Sequence, residues 1–264
     1  MEKPENGFCR VMSSNVLNSN DPASMGWRIP YTERAEMLAR IYLTVAPDLL
    51  GLQEADAAMK RALGALLGDV YAFPPQKTEK NNYTPLLYRT SRFAYLDGGF
   101  CSFGGCWGYE WAVYRDRIRA GERAIHMNLH YHYASFETRA PQAEAVNRKL
   151  GELREAYPGV PVFVSGDYNC NRESREFRIM CRELPLESGM LLTADNDGFS
   201  SGWHRLGETV PRDDDGAIDH IAVMRDTVTV LSHRQLRTAE VAAATDHFPI
   251  WLDTEPKKKT EDCT

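Results

Sequence analysis

The sequence predicts an α+β protein in which helices flank two packed β-sheets. Strand patterns outnumber helix patterns, and the strands occur both as hairpins and in alternation with helices. No internal repeat, low-complexity linker or change in composition divides the 264 residues. We therefore expect a single domain over residues 8–253, followed by a solvated tail over residues 254–264.

Two strands and two helices alternate in the first part of the chain. In order, they are a strand over 9–17, a helix over 32–45, a buried strand over 48–54 and a helix over 56–67. Ala35, Leu38 and Val45 lie on one face of the first helix, for which Thr32 is the predicted N-cap. Asp56 begins the second helix.

The rest of the chain is richer in strands. Strands are predicted over 84–89, 93–100, 110–116, 123–133, 161–169, 217–224, 227–233 and 245–253, and helices over 137–156 and 174–183. The Gly-rich segment 98–110, which contains Trp107, is predicted to be a compact loop between strands.

Charge and composition limit the function classes. A net charge of −6 gives no overall attraction to a polyphosphate backbone, so tight non-specific binding of nucleic acid is not expected. The six cysteines form no CxxC pair and no zinc spacing, which is typical of free thiols in a reducing compartment. No signal-peptide core and no run of roughly 20 apolar residues is present. Unless the start was trimmed, we expect a cytoplasmic protein without a membrane partner.

Residues that bind metals or transfer protons follow several of the apolar strands. They are Asn15, Gln53, Glu54, His130, His132, Asp167, Asn169, Asp219, His220, Asp246 and His247. A single Asn or His at a strand end more often caps a turn or satisfies a backbone group, and Asp-His pairs occur by chance. Their recurrence at successive strand ends favours one shared site.

Six short motifs occur in the order typical of one protein family. They are "SSNVL", "LLGLQEAD", "MNLHYHY", "SGDYNCN", "AIDHIAV" and "TDHFPI", spread from about Val11 to Leu252. In these motifs the chain resembles the endonuclease/exonuclease/phosphatase superfamily, the deoxyribonuclease-I-like metal-dependent hydrolases. The resemblance implies a four-layer α/β sandwich of two packed mixed β-sheets and a metal-dependent phosphoric ester hydrolase.

The resemblance also implies a magnesium site. Glu54 resembles the principal Mg²⁺ ligand, with help from Asn15 and Asp246, and Mn²⁺ is expected to substitute. Mg²⁺ prefers one or two carboxylates together with waters and substrate oxygens, which suits this sparse set of ligands.

Catalytic and substrate-binding residues follow from the same resemblance. The catalytic set is Asp167, Asn169, Asp219, His247 and His130, and the substrate-binding set is Asn15, His130, Asn169 and Trp203. His247 would face the scissile phosphate, and Asp219 would orient it and raise its pKa. Asp167 and Asn169, two residues apart at the end of a strand, are expected to point to one side of an extended chain. The small Gly166 is expected to let substrate approach the backbone.

Two positions stay open at this point. Trp203 lies between glycines in the segment before the Asp219 strand, where it either lines the pocket or anchors a loop. The family often carries Leu-Asp after the histidine at the position of His130, whereas this chain has Tyr131 and His132. No further ligand or proton donor is therefore assigned there.

The leading functional hypothesis is a Mg²⁺-dependent phosphodiesterase that acts on a small soluble phosphate ester by metal-assisted in-line attack of water. A nuclease acting on DNA or RNA is the alternative, and the acidic charge balance does not favour it. A catalytically silent binding protein on the same scaffold should lack at least one core residue, yet all are present. A Ser-His-Asp hydrolase would need a GxSxG elbow, which this sequence lacks.

Overall fold

Two β-sheets form the centre of the protein, whose computed structural model describes residues 9–20, 28–75, 82–119, 121–198, 204 and 217–257. In these residues sheet A contains β1 (Cys9–Asn15), β2 (Leu49–Gln53), β3 (Tyr71–Ala72), β4 (Leu86–Arg89), β11 (Val228–Gln235) and β12 (Ile250–Pro256). Their order across the sheet is β11-β12-β1-β2-β4-β3. Strands β1 and β2 run parallel and the other neighbours run antiparallel, so the sheet is mixed.

Sheet B has the same size in the part of the chain that the structure describes. It contains β5 (Phe93–Gly104), β6 (Trp107–Asp116), β7 (Arg123–His130), β8 (Val162–Asp167), β9 (Leu186–Ser188) and β10 (Asp219–Met224). Their order is β5-β6-β7-β8-β10-β9, in which β7 and β8 are parallel and the other neighbours antiparallel. Sheet B is therefore also mixed.

Helices cover the outer face of each sheet. Helices α1 (Tyr31–Val45), α2 (Ala57–Leu67) and α5 (Ala239–Ala244) share one apolar cluster with sheet A, and α3 (Phe136–Ala156) and α4 (Arg175–Cys181) share another with sheet B. A third apolar cluster fills the space between the two sheets. This order of layers confirms the predicted four-layer sandwich.

Side chains of the central strands alternate between the helices and the other sheet, as the pleat of a strand requires. In β1, Val11 packs between the sheets and Met12 packs against the helices of sheet A. In β8, Phe163 packs between the sheets and Val164 packs against the helices of sheet B. The residues that face the other sheet are apolar at one end of these strands and polar at the other.

The two predicted helix starts have different outcomes. The prediction that Asp56 begins α2 is confirmed, because its side chain caps the helix by accepting a bond from the Met59 N–H at 2.8 Å. The prediction of Thr32 as the cap of α1 is wrong. The chain enters this helix through Pro30, which has extended backbone angles and no N–H to satisfy, so Thr32 already lies in the first turn.

The predicted loop over 98–110 is a β-hairpin. Strands β5 and β6 pair along this segment and turn at Gly104 and Gly105, whose φ angles are +94° and +57°. Gly98 and Gly99 have another role, since a Cβ at either position would collide with Trp111 on the paired strand. Gly98 therefore makes room for the Trp111 carbonyl and Gly99 for the Trp111 ring, whereas the sequence pattern suggested an irregular loop.

Other differences lie at chain ends and in short elements. Strand β12 continues to Pro256, three residues beyond the predicted domain end at 253, because it pairs with β11 up to Val228. The sequence pattern did not predict α5, β3, β9 or a short 3₁₀ helix over Gly189–Leu192. The five cysteines at positions that the structure describes are not joined in disulfides with one another. Among the described helices, none is both long and apolar enough to cross a membrane.

Candidate active site

The polar ends of the central strands meet at one end of the space between the sheets. Strand pairing brings His130 and Asp219 opposite Asp167 in sheet B. In sheet A, Asn15 at the end of β1 pairs with Gln53, and Glu54 follows at once. Residues far apart in the chain are thus assembled by the register of the strands.

Asn15 joins the two sheets at this site. Its Nδ2 donates to Glu54 Oε1 at 3.1 Å, on the side of sheet A, and to Asp167 Oδ2 at 3.2 Å, on the side of sheet B. Asn15 is completely buried and its Oδ1 accepts the backbone N–H of Leu17 at 3.1 Å. A neutral donor between two carboxylates keeps them close without adding charge.

Glu54 has an unusual backbone conformation for its residue type. Its φ of +59° lies in the left-handed region, which costs free energy for a residue with a side chain. Its Oε2 accepts from Asn18 Nδ2 at 3.2 Å and from the backbone N–H of Asn18 at 3.4 Å. The sequence did not predict a role for Asn18 at this site. The one sequence feature that could have indicated it is its position three residues after Asn15.

Asp219 and His247 form a buried hydrogen-bonded pair. The distance from His247 Nδ1 to Asp219 Oδ2 is 2.9 Å. Burial opposes protonation of His247, but the carboxylates of Asp219, Asp167 and Asp246 outweigh it and hold the pKa of the imidazole well above its usual value of 6.5. Burial also raises the pKa of Asp219, but its contact with Nδ1 favours the ion pair, so we place the shared proton on His247.

Asp167 lies at the centre of the cluster. Its Oδ2 is 3.6 Å from His130 Nε2 and 3.7 Å from His247 Nε2. His130 and His247 are both buried, and each ring directs its Nε2 towards the same carboxylate. Asp167, Asp219 and His247 each offer one ligand atom, and these atoms lie within 4.8 Å of one another. Such a cluster is able to hold a cation or share protons.

Asn169 reaches the site through the turn after β8 and not, as was predicted, along an extended strand. The strand ends at Asp167 and Asn169 has a φ of +47°, so the two residues do not alternate along an extended chain. Asp167 Oδ1 instead accepts the Asn169 N–H at 2.9 Å, and Asn169 Nδ2 donates to the Tyr131 carbonyl at 2.8 Å. At Gly166 the missing Cβ makes room for the carbonyl of Leu129 on β7, and the approach of substrate to this backbone stays a prediction.

A buried arginine fixes two loops behind the site. Arg34 donates to the backbone carbonyls of Val16, Leu17, Asn18 and Ala244 at 2.9–3.0 Å. It therefore joins the segment after β1, which carries Asn18, to the segment after α5, which leads to Asp246 and His247. Thr245 adds a second link, because its Oγ1 donates to the Asn15 carbonyl at 2.7 Å.

Asp246 is a buried carboxylate beside the acidic cluster. Its Oδ1 has no hydrogen-bond partner among the described residues. Burial raises the pKa of Asp246 to about 6, and the negative charge of Glu54 adds to the rise. His204 contacts this segment, since its N–H donates to the Asp246 carbonyl at 2.7 Å and its ring stacks on Phe248 at 4.2 Å. Trp203, predicted to bind substrate, lies outside the described residues.

Solved structures share this fold. A Bacteroides vulgatus endonuclease/exonuclease/phosphatase is 22% identical, with a TM-score of 0.80 over 95% of this chain and 99% of that one. A mannosyl-6-phosphatase of Bacteroides thetaiotaomicron is 18% identical, with a TM-score of 0.76 over 93% of this chain and 99% of that one. TDP2 of D. rerio, solved with a single-strand DNA product, is 18% identical, with a TM-score of 0.73 over 94% and 99% of the two chains.

The fold with its cluster of carboxylates and histidines is that of a superfamily of phosphoester hydrolases. The model of the Endonuclease/Exonuclease/phosphatase family matches residues 12–247 of this sequence. The chain therefore belongs to this family, as its motifs predicted. A search of curated protein sequences gives no match.

Proposed function

We propose that the protein is a Mg²⁺-dependent phosphoric ester hydrolase that cleaves phosphodiesters of small soluble molecules by in-line attack of water. The observation that carries this proposal is the buried Asp219–His247 pair, with its 2.9 Å bond and its second imidazole nitrogen 3.7 Å from Asp167. A charged imidazole next to the Asp167 carboxyl group places a phosphate-binding cation 3.7 Å from a group that can orient water.

The roles of the side chains follow from their chemistry. Asp167 accepts a proton from, or orients, the attacking water, since it is a buried carboxylate with two histidines beside its Oδ2. His247, as the imidazolium, stabilises charge that develops on the phosphate oxygens, and Asp219 keeps the ring oriented and charged. His130 and Asn169 contact the phosphate without adding negative charge.

A divalent cation fits the donor set. Glu54 and Asp246 are carboxylates close enough for the charge of one to raise the pKa of the other, and Asp246 Oδ1 lacks a partner among the described residues. With Asn15, they provide hard oxygen donors of the kind that Mg²⁺ prefers, and Mn²⁺ would substitute. When bound, the cation would neutralise the phosphate and stabilise the leaving oxygen.

Asp167, Asp219 and His247 are the competing group of ligands. Ligation there would break the 2.9 Å bond between Asp219 and His247 and would require an uncharged imidazole. A cation at the half-buried Glu54 leaves that bond intact and requires only that the Asn15 amide turn, since its Oδ1 now accepts the Leu17 N–H and its Nδ2 faces Glu54. We therefore assign the cation to Glu54, Asn15 and Asp246.

A small substrate is supported by the charge of the chain and by one of its structural neighbours. The net charge of −6 disfavours a polyanionic substrate. The Bacteroides neighbour named a mannosyl-6-phosphatase supports a small phosphate ester, while the TDP2 neighbour with its DNA product keeps a nuclease as the second candidate. We place the protein in the cytoplasm, as a single domain over residues 8–253 with a few residues of β12 beyond it.

The test is a hydrolysis screen with and without Mg²⁺ on phosphomonoesters, small phosphodiesters and DNA and RNA oligonucleotides. We expect the highest kcat/KM on a small phosphodiester and no activity in excess chelator. Preferred cleavage of oligonucleotides would establish the nuclease instead. If no phosphate ester is hydrolysed with any divalent cation, the protein is a silent binding protein on this scaffold.

A further inference from the structure

Three aromatic side chains form a continuous surface beside the candidate site. The ring of Trp107 lies 3.8 Å from the ring of His132 at an interplanar angle of 32°. Tyr133 stacks on His132 at 4.9 Å, and its centroid is 5.9 Å from that of Trp107. Tyr133 is 70% exposed, and Trp107 and His132 are half-buried. We call Trp107, His132 and Tyr133 the aromatic shelf.

The shelf adjoins the residues proposed to bind phosphate. Trp107 is the first residue of β6, and its neighbour Gly108 pairs with His130. The Trp107 ring lies 6.5 Å from the His130 ring, whose Nε2 is 3.6 Å from Asp167 Oδ2. The shelf therefore begins next to His130, the histidine proposed to contact the phosphate.

The polypeptide that carries the shelf is held rigidly. Arg139 Nη1 donates to three successive carbonyls, those of His132, Tyr133 and Ala134, at 3.2–3.4 Å. The Arg139 guanidinium is itself anchored on Glu176 at 2.8 Å. This clamp holds the backbone from which the His132 and Tyr133 side chains project.

The orientation of the rings is also fixed. The N–H of His132 donates to Gln142 Oε1 at 2.9 Å, and its Nδ1 accepts the Ala134 N–H at 3.0 Å. On the other side, a Cβ at Gly105 would lie 2.8 Å from the Trp107 ring, so only glycine lets the indole lie over the hairpin turn. An exposed aromatic surface that is ordered in advance is typical of a binding site, because little conformational entropy is lost on binding.

We propose that the aromatic shelf binds a planar aromatic ring carried by an alcohol group of the phosphate ester, as in a nucleoside. The proposal rests on the hydrolase proposed above, since it requires the phosphate to bind beside His130. The departure in the sequence after His130 gains a role here, because His132 stands where the family often has the Asp of Leu-Asp, and a second ring, Tyr133, follows it. Tyr131 between them is buried in the core of sheet B.

A planar ring fits this surface better than a sugar. Binding of a sugar relies on several directional hydrogen bonds to its hydroxyl groups. Tyr133 presents the most exposed ring of the shelf, while the Trp107 ring already packs on His132 and over the turn at Gly105. The Nδ1 of His132 and the guanidinium of Arg139 are engaged in holding the backbone. A nucleobase has two flat faces and stacks on aromatic side chains without such bonds.

The experiment uses two phosphonates in which a CH₂ group replaces the ester oxygen, so that neither is hydrolysed. Adenosine 5′-methylenephosphonate carries the ring, and ribose 5-methylenephosphonate lacks it. We measure Kd by calorimetry in the presence of Mg²⁺. The wild type should bind the adenosine compound about 10- to 100-fold more tightly. Trp107→Ala should reduce this ratio to less than about 3-fold and leave the ribose compound unaffected.

Three controls separate the shelf from a loss of folding. Trp107→Phe keeps a ring and should keep most of the preference, and Tyr133→Ala should lower it. Ile118→Ala removes another exposed apolar side chain, in the turn between β6 and β7, and should change neither Kd. The melting temperature of each variant should stay within a few degrees of the wild type.

Several outcomes would overturn the shelf. The first is a wild type that binds both phosphonates equally or binds neither. The second is a Trp107→Ala variant whose ratio of the two Kd values is unchanged. The third is a mannose 6-methylenephosphonate that binds the wild type as tightly as the adenosine compound does. The last result would assign the shelf to a sugar. Binding is measured without turnover, so the two proposals can fail separately. If the protein prefers the adenosine compound but hydrolyses no ester, the proposed hydrolase is wrong and the proposed ring-binding shelf stands. Hydrolysis without a ring preference defeats the shelf alone.

Discussion

The two ends of the space between the sheets differ in chemistry, although the same strands build both. At one end the inward residues are apolar, with Val11 on β1, Leu49 on β2 and Phe163 on β8. At the other end the inward residues of these strands are polar, with Asn15 ending β1 and Asp167 ending β8. The comparison indicates that the first half holds the sheets together and the second half holds reactive groups in place.

The polar half stays folded because its groups bond to one another across the sheets. Gln53 Nε2 donates to Asn128 Oδ1 at 2.6 Å, and Asn128 Nδ2 donates to the Leu52 carbonyl at 2.6 Å. Ser165 Oγ donates to the same Asn128 Oδ1 at 3.1 Å. Unpaired, each buried amide or hydroxyl would cost about 1–3 kcal/mol. The network offsets this cost, and it gives the site a rigid base.

The largest expected effect is the loss of activity in the polar half. Glu54→Gln is nearly isosteric but removes the charge that would hold the cation. We expect a decrease in kcat/KM of at least about 10³-fold with the melting temperature little changed. Steady-state kinetics over a Mg²⁺ titration measures this decrease.

The matched control for that variant is Glu137→Gln, on the surface in the first turn of α3. It should have wild-type kinetics. Full activity of the wild-type protein in excess chelator would show that no cation takes part.

In the apolar half, truncation should lower stability without changing the chemistry. Phe163 is buried between the sheets, so Phe163→Ala leaves a cavity. We expect a loss of about 3–5 kcal/mol in the free energy of unfolding, and a melting temperature lower by roughly 10 °C. The rate per folded molecule at 25 °C should stay within about twofold. If Phe163→Ala lowered the rate as much as Glu54→Gln, the apolar and polar halves would not differ in their roles.

A smaller effect concerns pH and the residues between the two halves. His126 is fully buried and its Nε2 lies 2.8 Å from Ser165 Oγ. Burial lowers the pKa of His126 to about 3, so the ring is neutral in the folded protein. In the unfolded chain the ring binds a proton near pH 6.5. The contribution of the neutral, buried ring to stability is therefore complete above pH 6.5 and is lost as the pH falls towards 3.

At pH 5 the linked loss is about 2 kcal/mol for this histidine. We measure the free energy of unfolding of the wild type and of His126→Leu with urea at pH 7 and at pH 5. The free energy of the wild type relative to that of the variant should fall by about 2 kcal/mol at the lower pH. A difference that does not vary with pH would mean that the His126 ring takes up its proton in the fold as readily as in the unfolded chain.

The sequence predicted the parts of the site that depend on local patterns. An apolar run that ends at Gly166 and Asp167 predicts a buried strand with a carboxylate at its end, and the structure has that strand. Contacts between residues more than a hundred positions apart, such as Asn15 and Asp167, decide which strand ends meet. Only the resemblance to a family supplied that information.

Other features escaped because their local pattern is ambiguous. Gly98 and Gly99 have low strand propensity, and the carbonyl and ring of Trp111, for which they make room on the paired strand, are not visible in a local window. Helix α5 has six residues, too few for a helical period to stand out. The turn at Asn169 depends on the carboxylate two residues before it. Tertiary contacts therefore determine these features.

The most direct test of the account compares rate and stability in Asp219→Asn. The carboxylate raises the pKa of His247, so the imidazolium is present below that pKa and is lost as the pH rises through it. Without the charge, the pKa falls. We predict a turnover lower by about 10²- to 10⁴-fold, an alkaline limb of the pH–rate profile at lower pH, and a melting temperature close to that of the wild type. A normal turnover with a lowered melting temperature would contradict the account, because Asp219 would then only stabilise the fold.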